Sequence, residues 1–333
     1  MKLPETLLLT RREVARLLDL DACIAAVEAA FRLRGEGRTP PAGILRVPAC
    51  GGGFHIKAAA LEEGLSRPYF AAKVNGNFSS NRERFGMPAI QGIVLLCDAE
   101  NGFPLALLDS IEITIRRTGA ATAIAAKHLA RADARVAAIC GCGNQGRIQL
   151  LALSRVQRLE RAYAYDLDLE TARRFAVEMS AELGFPIQAV ADFAAAARGS
   201  DIVVTCTPSR KAFLGPADVS PGAFVAAVGA DSADKQELEP KLLASARLVV
   251  DSLEQCATIG ELHHALGAGA MEKSLVHAEL AEIVAGAKSG RLTSEEITIF
   301  DSTGTALQDV AAAAVVYERA LKQPPGRLLD FCG

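Results

Sequence analysis

The sequence predicts an α/β protein whose larger part is a doubly wound parallel sheet. Three observations predict this class. From Ala134 onward, short apolar strands alternate with helical segments, which is typical of parallel strands joined by crossover helices. A glycine-rich turn at 141–146 joins the first of these strands to the first helix. Earlier, between residues 43 and 108, strand patterns follow one another without helices, which indicates a separate α+β part.

The alternating region begins with a continuous apolar strand at 135–140, followed by a helix over 141–156 that opens with the glycines. A second strand at 161–165 and a second helix at 169–183 follow, and further strands are predicted at 187–190, 202–205, 223–228 and 247–250. The region is therefore predicted to form one parallel sheet covered by helices.

The N-terminal part begins with helical spacing over 11–34, where Asp21 is the expected N-cap of a second helix. Strands are predicted at 43–47, 53–58, 69–74, 92–97 and 104–108, the last two joined as a hairpin by residues 100–102. A long helix is expected from Thr114 to Ala130, and a last helix, 306–320, lies beyond the alternating region. We therefore predict a discontinuous domain, 1–117 with 308–333, and a second domain over 118–307.

Composition excludes several classes of protein. The 333 residues carry a net charge of −3, half of them are hydrophobic and 23% are charged, which excludes wholesale disorder. The slightly acidic balance gives no electrostatic footprint for nucleic acid or an anionic membrane. No apolar run is long enough for a leader or a membrane span, so a cytoplasmic location is expected. The eight cysteines show no disulfide or ligand rhythm, and we expect reduced thiols and no metal site.

The glycine-rich turn predicts a dinucleotide site. Gly141 permits the tight turn, Gly143 lets the backbone approach a pyrophosphate, and Gly146 lets the helix pack closely on the strand. The helix N-terminus then presents unsatisfied N–H groups to the phosphates. Asp166 follows the second strand, where a carboxylate accepts bonds from the ribose hydroxyls and repels a 2′-phosphate. NAD is therefore favoured over NADP, although Asp166 could instead cap the next helix, with Asp168 as its rival for either role.

Charged residues interrupt apolar segments at three places outside this unit. His55 and Lys57 share one face of a predicted strand, because strand side chains alternate. Lys73 lies inside another apolar strand, and Arg117 lies in the first turn of the predicted long helix, where the helix dipole disfavours a cation. Each could be a solvated edge residue or a structural ion pair. Together they predict a basic pocket for a small carboxylate.

Asp231 adds an acid at the end of a predicted sheet strand. Ligands bind at the carboxyl edge of such sheets, and a carboxylate there can exchange protons with a substrate amine or water. The alternative is that Asp231 caps a helix around Leu238.

With these residues identified, the chain resembles the ornithine cyclodeaminase/mu-crystallin family over nearly its full length. The order and spacing of several stretches carry the resemblance: Lys73-Val74-Asn75-Gly76, Thr114-Ile115-Arg116-Arg117-Thr118-Gly119-Ala120, the glycine turn, Val228-Gly229-Ala230-Asp231, Lys235-Gln236-Glu237-Leu238 and Phe300-Asp301-Ser302-Thr303-Gly304-Thr305-Ala306. The resemblance implies a Rossmann domain plus a substrate-binding and dimerisation domain, and a homodimer built mainly through the latter.

The resemblance also implies roles for individual residues. Lys73 and Arg117 would hold the substrate carboxylate, Asp231 would be the general acid/base, and Thr303 would lie near the substrate. The contacts with NAD would come from the following residues: Asn144, Gln145, Asp166, Thr207, Val225 through Ala230 (with Val228 and Gly229), Lys235 and Ser302.

Two departures from the family pattern bear on the substrate. A further arginine expected before the first strand falls on Ala42, with Arg46 nearby. A glutamate that receives a distal amine in ornithine cyclodeaminases falls near His55, and Lys57 replaces an apolar residue beside it. A pocket holding His55 and Lys57 repels a second ammonium, which argues against ornithine.

The resulting hypothesis is an NAD-dependent oxidoreductase acting at the C–N bond of a small α-amino or α-imino acid. The alternatives are a cyclodeaminase, which uses NAD catalytically and releases ammonia, and a nucleotide-binding protein without catalysis. The additional basic residues, His55 and Lys57, indicate a substrate with a second acidic or polar group.

Overall fold

The computed structural model describes residues 5–322 and 327–330 of the chain. Its strands, in chain order, are β1 (Thr6–Leu9), β2 (Gly43–Ala49), β3 (Gly52–Leu61), β4 (Tyr69–Asn77), β5 (Ile90–Asp98), β6 (Pro104–Asp109), β7 (Val136–Cys140), β8 (Arg161–Tyr165), β9 (Ile187–Ala189), β10 (Ile202–Thr205), β11 (Arg210–Leu214), β12 (Phe224–Ala227), β13 (Gln236–Leu238), β14 (Arg247–Val250), β15 (Ala278–Glu279), β16 (Thr298–Asp301) and β17 (Arg327–Leu329). Its helices are α1 (Arg11–Leu17), α2 (Leu20–Gly35), α3 (Asn81–Phe85), α4 (Ser110–Leu129), α5 (Asn144–Val156), α6 (Leu169–Leu183), α7 (Phe193–Arg198), α8 (Pro240–Ala244), α9 (Leu253–Ile259), α10 (Glu261–Gly267), α11 (Leu280–Val284) and α12 (Ala306–Ala320). In the described part of the chain, none of these helices combines the length and apolar character needed to cross a membrane.

The chain divides into two compact units. The first comprises Met1–Arg117 and Thr305–Gly333, and the second comprises Thr118–Gly304. The first boundary falls inside α4. The chain re-enters the first unit at Thr305, whereas the sequence prediction put that boundary at residue 308.

The first unit is a seven-stranded sheet in the order β17-β1-β6-β5-β4-β3-β2, with α12 packed on one face. The four pairings that join β2 to β6 are antiparallel, whereas β1 pairs parallel with β6. Successive side chains along each strand point to opposite faces of the sheet. We call the face under α12 the inner face; its buried residues include Ala59, Leu61, Tyr69, Ala71, Val94 and Leu96. The opposite, outer face carries exposed apolar side chains.

The second unit is an eight-stranded sheet in the order β15-β14-β16-β12-β10-β7-β8-β9, and all of its pairings are parallel. Strand β12 is completely apolar and buried, and β7 is apolar and buried beyond its first residue, as expected for strands covered on both faces. The order of strands reverses between β7 and β10. Ligands in such sheets bind outside the carboxyl ends of the strands at this switch point. The predicted α/β class, with a doubly wound parallel sheet beside an α+β unit, is confirmed.

Several local predictions are wrong for identifiable reasons. Asp19, not Asp21, caps α2, because its side chain accepts the N–H of Ala22 at 2.8 Å. Helix α4 begins at Ser110, so Arg117 lies two turns inside it and the dipole argument does not apply. The segment around Leu238 is strand β13 rather than a helix.

Candidate functional site

The turn between β7 and α5 requires glycine at two of its three marked positions. Gly141 has φ +104°, and a Cβ there would lie 2.9 Å from the carbonyl oxygen of Cys206. A Cβ on Gly146 would lie 2.0 Å from the carbonyl oxygen of Gly141, so only glycine allows α5 to approach the strand this closely. A Cβ on Gly143 would project into open space beside the N-terminus of α5, which begins at Asn144. The turn therefore leaves room for a phosphate group against the amides of α5, and it fits a dinucleotide.

Asp166 lies at the end of β8, beside this turn. Its Oδ2 accepts the backbone N–H of Cys142 at 2.9 Å. Asp168 caps α6 instead, accepting the N–H of Glu170 at 3.1 Å and the hydroxyl of Thr171 at 2.7 Å. Asp166 therefore contacts the glycine turn, whereas Asp168 caps α6, and the ribose contact of Asp166 stays a prediction.

Glu237 joins the loops that follow β10 and β12. Its Oε1 accepts the N–H and the hydroxyl of Thr207 at 2.6 and 2.7 Å, and its Oε2 accepts the N–H of Gly229 at 2.9 Å. Glu261 in turn accepts the N–H groups of Glu237 and Leu238 at 2.7 and 3.1 Å. Burial raises the pKa of Glu237, although its hydrogen bonds oppose the shift. These contacts fix Thr207 and Gly229 at the switch-point edge.

The other residues predicted around β12 fall into two groups. Val225 is completely buried in the middle of the strand, so its side chain belongs to the core. The segment from Val228 to Ala230 follows the strand and continues to Asp231. Asp231 is about half exposed, at 47%, and its Oδ1 accepts a bond from Lys235 Nζ at 2.6 Å. Asp231, the predicted acid, and Lys235, a predicted contact of NAD, therefore form an ion pair.

Asp251 organises the loop that follows β16. Its Oδ1 accepts the hydroxyl of Thr303 at 2.9 Å, and its Oδ2 accepts the N–H of Gly304 at 2.5 Å and the hydroxyl of Ser302 at 3.5 Å. Gln255 donates to Thr303 Oγ1 at 2.7 Å. Because the hydroxyl proton of Thr303 is bonded to Asp251, this side chain holds the loop rather than donating to a ligand. That Thr303 lies near the substrate and that Ser302 contacts NAD both stay predictions.

In the first unit, Lys73 and Arg117 meet at a shared carboxylate. Lys73 Nζ lies 2.8 and 2.7 Å from the two carboxylate oxygens of Asp309, and Arg117 Nε donates to Asp309 Oδ1 at 3.0 Å. Arg117 Nη1 donates to Gln308 Oε1 at 2.9 Å. All three charged side chains are at most 7% exposed. The sequence identified both cations as candidates and allowed that each forms a structural ion pair. In the structure they share one partner, Asp309 of α12.

Burial and charge act in opposite senses on this cluster. Burial, the nearby Arg117 and Lys57 lower the pKa of Lys73 to about 7, although Asp309 opposes the shift. Burial alone would raise the pKa of Asp309, but the charges of Lys73 and Arg117 outweigh it and hold that pKa below its ordinary value. Asp309 is therefore the charged centre of the cluster. Arg117 Nη2 makes no hydrogen bond within the described residues, so this guanidinium keeps donors for a ligand.

His55 and Lys57 lie on the inner face, as predicted from their spacing. Lys57 is directly opposite Lys73, and His55 is directly opposite Asn75. On the edge strand β2, Arg46 is directly opposite His55 and so shares this face. The sequence left the family's additional arginine unassigned. The register brings Arg46, rather than Ala42, onto the strand face that carries Lys73.

Two sets of residues are thus assembled, one in each unit. The first unit collects the basic residues on its inner face. The second collects the glycine turn, Asp166, Asp231 and the loops at the switch point. Sequence reasoning missed Asp309, Glu237 and Asp251. The signal for Asp309 was a carboxylate at the start of an otherwise apolar helix.

The chain matches known proteins over almost its whole length. The model of the ornithine cyclodeaminase/mu-crystallin family matches residues 4–324. A structure of an archaeal alanine dehydrogenase dimer with bound NAD is 40% identical, with a TM-score of 0.93, and the match covers 98% of this chain and 100% of that one. The Δ1-pyrroline-2-carboxylate reductase of Thermococcus litoralis, solved with NADH and L-proline, is 35% identical with a TM-score of 0.91, covering 97% and 99%. The iminosuccinate reductase of Paracoccus denitrificans, solved with NAD+, is 30% identical with a TM-score of 0.90, covering 98% and 100%. This chain belongs to the ornithine cyclodeaminase/mu-crystallin family.

Proposed function

We propose that this protein is an NAD-dependent oxidoreductase acting on the C–N bond of a small α-amino or α-imino acid. The observation that carries the proposal is the buried pair of cations, Lys73 and Arg117, held by the single carboxylate of Asp309. The relatives named above, which act on alanine, an imino acid and iminosuccinate by their names, support the same reaction class.

The first unit binds the substrate by its carboxylate. Two buried cations sharing one anion leave a net positive charge, and a substrate carboxylate neutralises it. Arg117 presents its remaining N–H groups in a fork that matches the two oxygens of a carboxylate. Asp309 holds both cations in place, so the carboxylate site exists before the substrate arrives.

The second unit holds the dinucleotide. Gly141, Gly143 and Gly146 shape the turn for the pyrophosphate, and the amides at Asn144 and Gln145 face it at the N-terminus of α5. Asp166 accepts from the ribose hydroxyls and disfavours the 2′-phosphate of NADP. Additional contacts come from the ends of the neighbouring strands: Thr207, Val228, Gly229, Ala230 and Ser302. The presence of NAD or NADH in the related structures supports this assignment.

Asp231 manages the proton of the reaction. Reduction of an imine requires a protonated nitrogen, and oxidation of an amine requires a base, so one carboxyl group serves both directions. Lys235 holds Asp231 by its 2.6 Å bond and fixes the position of the carboxylate. When bound, NADH supplies the hydride that the imine carbon receives.

The protein works as a homodimer formed through the outer face of the first unit. Large apolar side chains are exposed on this face and on its edge strand: Leu45 (56%), Val47 (42%), Phe54 (40%) and Ile93 (49%). Contiguous apolar surface of this kind marks an interface rather than a monomer's exterior. The dimer of the archaeal relative supports a second copy of this chain as the partner.

Nicotinamide absorbance tests the proposed reaction. Purified protein is given NADH with imines formed from 2-oxo acids and ammonium, or NAD+ with amino acids, and net oxidation or reduction is expected. Release of ammonia from ornithine or lysine without net change in NADH would establish the cyclodeaminase instead. Asp231→Asn should lower kcat by at least about a hundredfold and leave NADH affinity unchanged. Asp234→Asn, on the same loop, is the matched control, and NADH binding without turnover by the unaltered protein on any of these substrates refutes the enzyme.

A further inference from the structure

The first turn of α12 has the sequence pattern of a capping box but does not form one. Thr305 is the N-cap and Gln308 is the third helical residue, the spacing at which the two side chains normally accept each other's backbone N–H groups. Within the described residues the Thr305 hydroxyl makes no hydrogen bond, although its Oγ1 is buried. Gln308 bonds instead to Arg117, whose Nη1 donates to Oε1 at 2.9 Å. The start of α12 is therefore left without a side-chain cap.

The amide of Gln308 also has a donor group that no described residue accepts. The residue is 1% exposed, and its Nε2 is buried without a hydrogen-bond partner. Because Oε1 accepts from Arg117, the orientation of the amide is fixed and Nε2 points away from that guanidinium. A glutamate at this position would also accept from Arg117, but it would neutralise a charge that the amide leaves in place. A buried N–H without an acceptor costs free energy, and an anion that accepts from it removes that cost.

The unbonded groups at this end of α12 can all donate to one anion. Arg117 bonds to Gln308 and to the adjacent Asp309, and its Nη2 has no acceptor among the described residues. Thr305 and Gln308 are three positions apart, so their side chains are neighbours on one face of the helix. The uncapped start of the helix adds the positive end of its dipole. A carboxylate has two oxygens with about four acceptor positions, enough for a guanidinium and two further donors.

We propose that the first turn of α12 is the second half of the substrate carboxylate site, in which the Thr305 hydroxyl and the Gln308 amide donate to the carboxylate that Lys73 and Arg117 hold. This inference rests on the proposed function. The two cations supply charge, whereas the two neutral donors supply direction, because each must point at a lone pair of the carboxylate. The helix start that a capping box would close is thus kept for the substrate.

Thr305→Val tests this role most directly, because it replaces the hydroxyl by a methyl group of similar size. The hydroxyl makes no hydrogen bond in the protein, so the midpoint of urea unfolding should stay the same or rise. In the assay with NADH, ammonium and a 2-oxo acid, KM for the 2-oxo acid should rise at least about tenfold, and KM for NADH should change less than about threefold. Calorimetry on the NAD+-loaded protein should show the same rise in Kd for pyruvate. Thr122→Val, at another buried hydroxyl without a partner in the described residues, is the matched control and should change none of these values.

Gln308→Met tests the amide and separates its two contacts. The variant loses both the acceptor for Arg117 and the buried donor, so Kd for pyruvate should rise at least about tenfold. Gln188→Met, on the exposed side of β9, is its control. If Gln308→Met weakens binding and Thr305→Val does not, the amide acts only by aligning Arg117 and the subsite on α12 is overturned. A lower unfolding midpoint of Thr305→Val with unchanged affinity for pyruvate identifies a helix cap and overturns it as well.

The outcomes also separate this inference from the function on which it rests. If imines are reduced and neither variant changes KM for the 2-oxo acid or Kd for pyruvate, the subsite is overturned and the oxidoreductase stands. If nothing is reduced, the oxidoreductase fails and calorimetry alone decides the subsite. Weaker binding of pyruvate by both variants then supports it, and absence of pyruvate binding by the unaltered protein overturns it. If circular dichroism shows that Gln308→Met does not fold, the affinity of Thr305→Val for pyruvate decides.

Discussion

Replacing Asp309 by asparagine tests whether the carboxylate in α12 stabilises the two cations of the first unit. The substitution keeps the shape of the side chain and removes its charge. In the protein this charge lies within 3.0 Å of Lys73 and Arg117, and Asp309 is 1% exposed. Without it, two buried cations face each other with no anion between them.

The magnitude follows from the burial. Removing one partner of a buried ion pair costs about 3–5 kcal/mol, because the remaining charge is left without compensation. The variant should therefore lose a large fraction of a stability that is typically about 5–15 kcal/mol. Water that reaches Lys73 would reduce the loss of stability, so we expect a value near the lower end of this range.

The loss should depend on pH. Near pH 6 the pKa of Asp309, held below its ordinary value, keeps the carboxylate charged, and Lys73, with its pKa lowered to about 7, is protonated. Above about pH 8, Lys73 is neutral in the folded protein, so one buried cation fewer needs Asp309 and the loss shrinks. In the unaltered protein the same lowered pKa of Lys73 makes the unfolded chain bind more protons between about pH 7 and 10. Its stability should therefore rise with pH in that window.

Urea unfolding at pH 6 and pH 9, followed by circular dichroism, measures both effects. The double-mutant cycle with Lys73→Met isolates the pair, and its coupling energy should exceed about 1.5 kcal/mol at pH 6. Asp133→Asn, at an exposed ion pair with Arg131, is the control and should change stability by less than about 1 kcal/mol. A loss below 1 kcal/mol at pH 6, or an equal loss at both pH values, refutes the assignment of Asp309 as the charged centre.

Three further variants test the second unit and the interface. Asp166→Ser should shift the ratio of kcat/KM for NADH and NADPH towards NADPH at least tenfold, because the carboxylate no longer repels the 2′-phosphate. Glu237→Gln should raise KM for NADH about tenfold with a smaller change in kcat. The two carboxylate oxygens of Glu237 accept the N–H groups of Thr207 and Gly229, and an amide has only one oxygen to accept them. Ile93→Arg should convert the proposed dimer to a monomer in sedimentation experiments at micromolar concentration, since it puts a charge on the apolar outer face.

Each of these variants has a matched control and a contrary result. Asp192→Ser makes the same exchange at the N-cap of α7 and should not change the ratio of kcat/KM for NADH and NADPH. An unchanged ratio in Asp166→Ser counts against the ribose contact. Glu178→Gln, on the surface of α6, should leave KM for NADH unchanged. An unaltered KM in Glu237→Gln would show that Glu237 does not position the loops that bind the cofactor. Val177→Arg adds the same charge to an exposed helix position and should not change the oligomeric state. If the protein with Ile93→Arg is still a dimer, the interface lies on another face.

The second unit was predictable because its signals are local. Continuous apolar strands, helical spacing and a glycine turn each lie within a few neighbouring residues, and together they define a doubly wound sheet. Gly141 and Gly146 are required by contacts with backbone close to the turn itself. The first unit was predictable only strand by strand. Strand β1 was missed, and its pairing with β6 and β17 joins segments from both ends of the sequence.

Some residues of the candidate site could likewise be predicted from their own segment, whereas others depend on contacts with distant parts of the chain. Lys73 and Arg117 are conspicuous in the sequence because a charge interrupts an apolar pattern. Their partner, Asp309, is 236 and 192 positions away along the chain, so the sequence around either cation does not identify it, although Asp309 itself interrupts an apolar helix. Glu237 and Asp251 give no such signal, because a carboxylate that accepts backbone N–H groups from other loops leaves no pattern in its own segment.

Arg117 shows why the burial of charge is a stronger guide than its place in a helix. The sequence argument placed it in a first helical turn, where the dipole opposes a cation, and the structure places it two turns further in, where that opposition is small. It was nevertheless a correct candidate for the buried cluster, because a guanidinium within an alanine-rich apolar helix must find an anion or lose free energy.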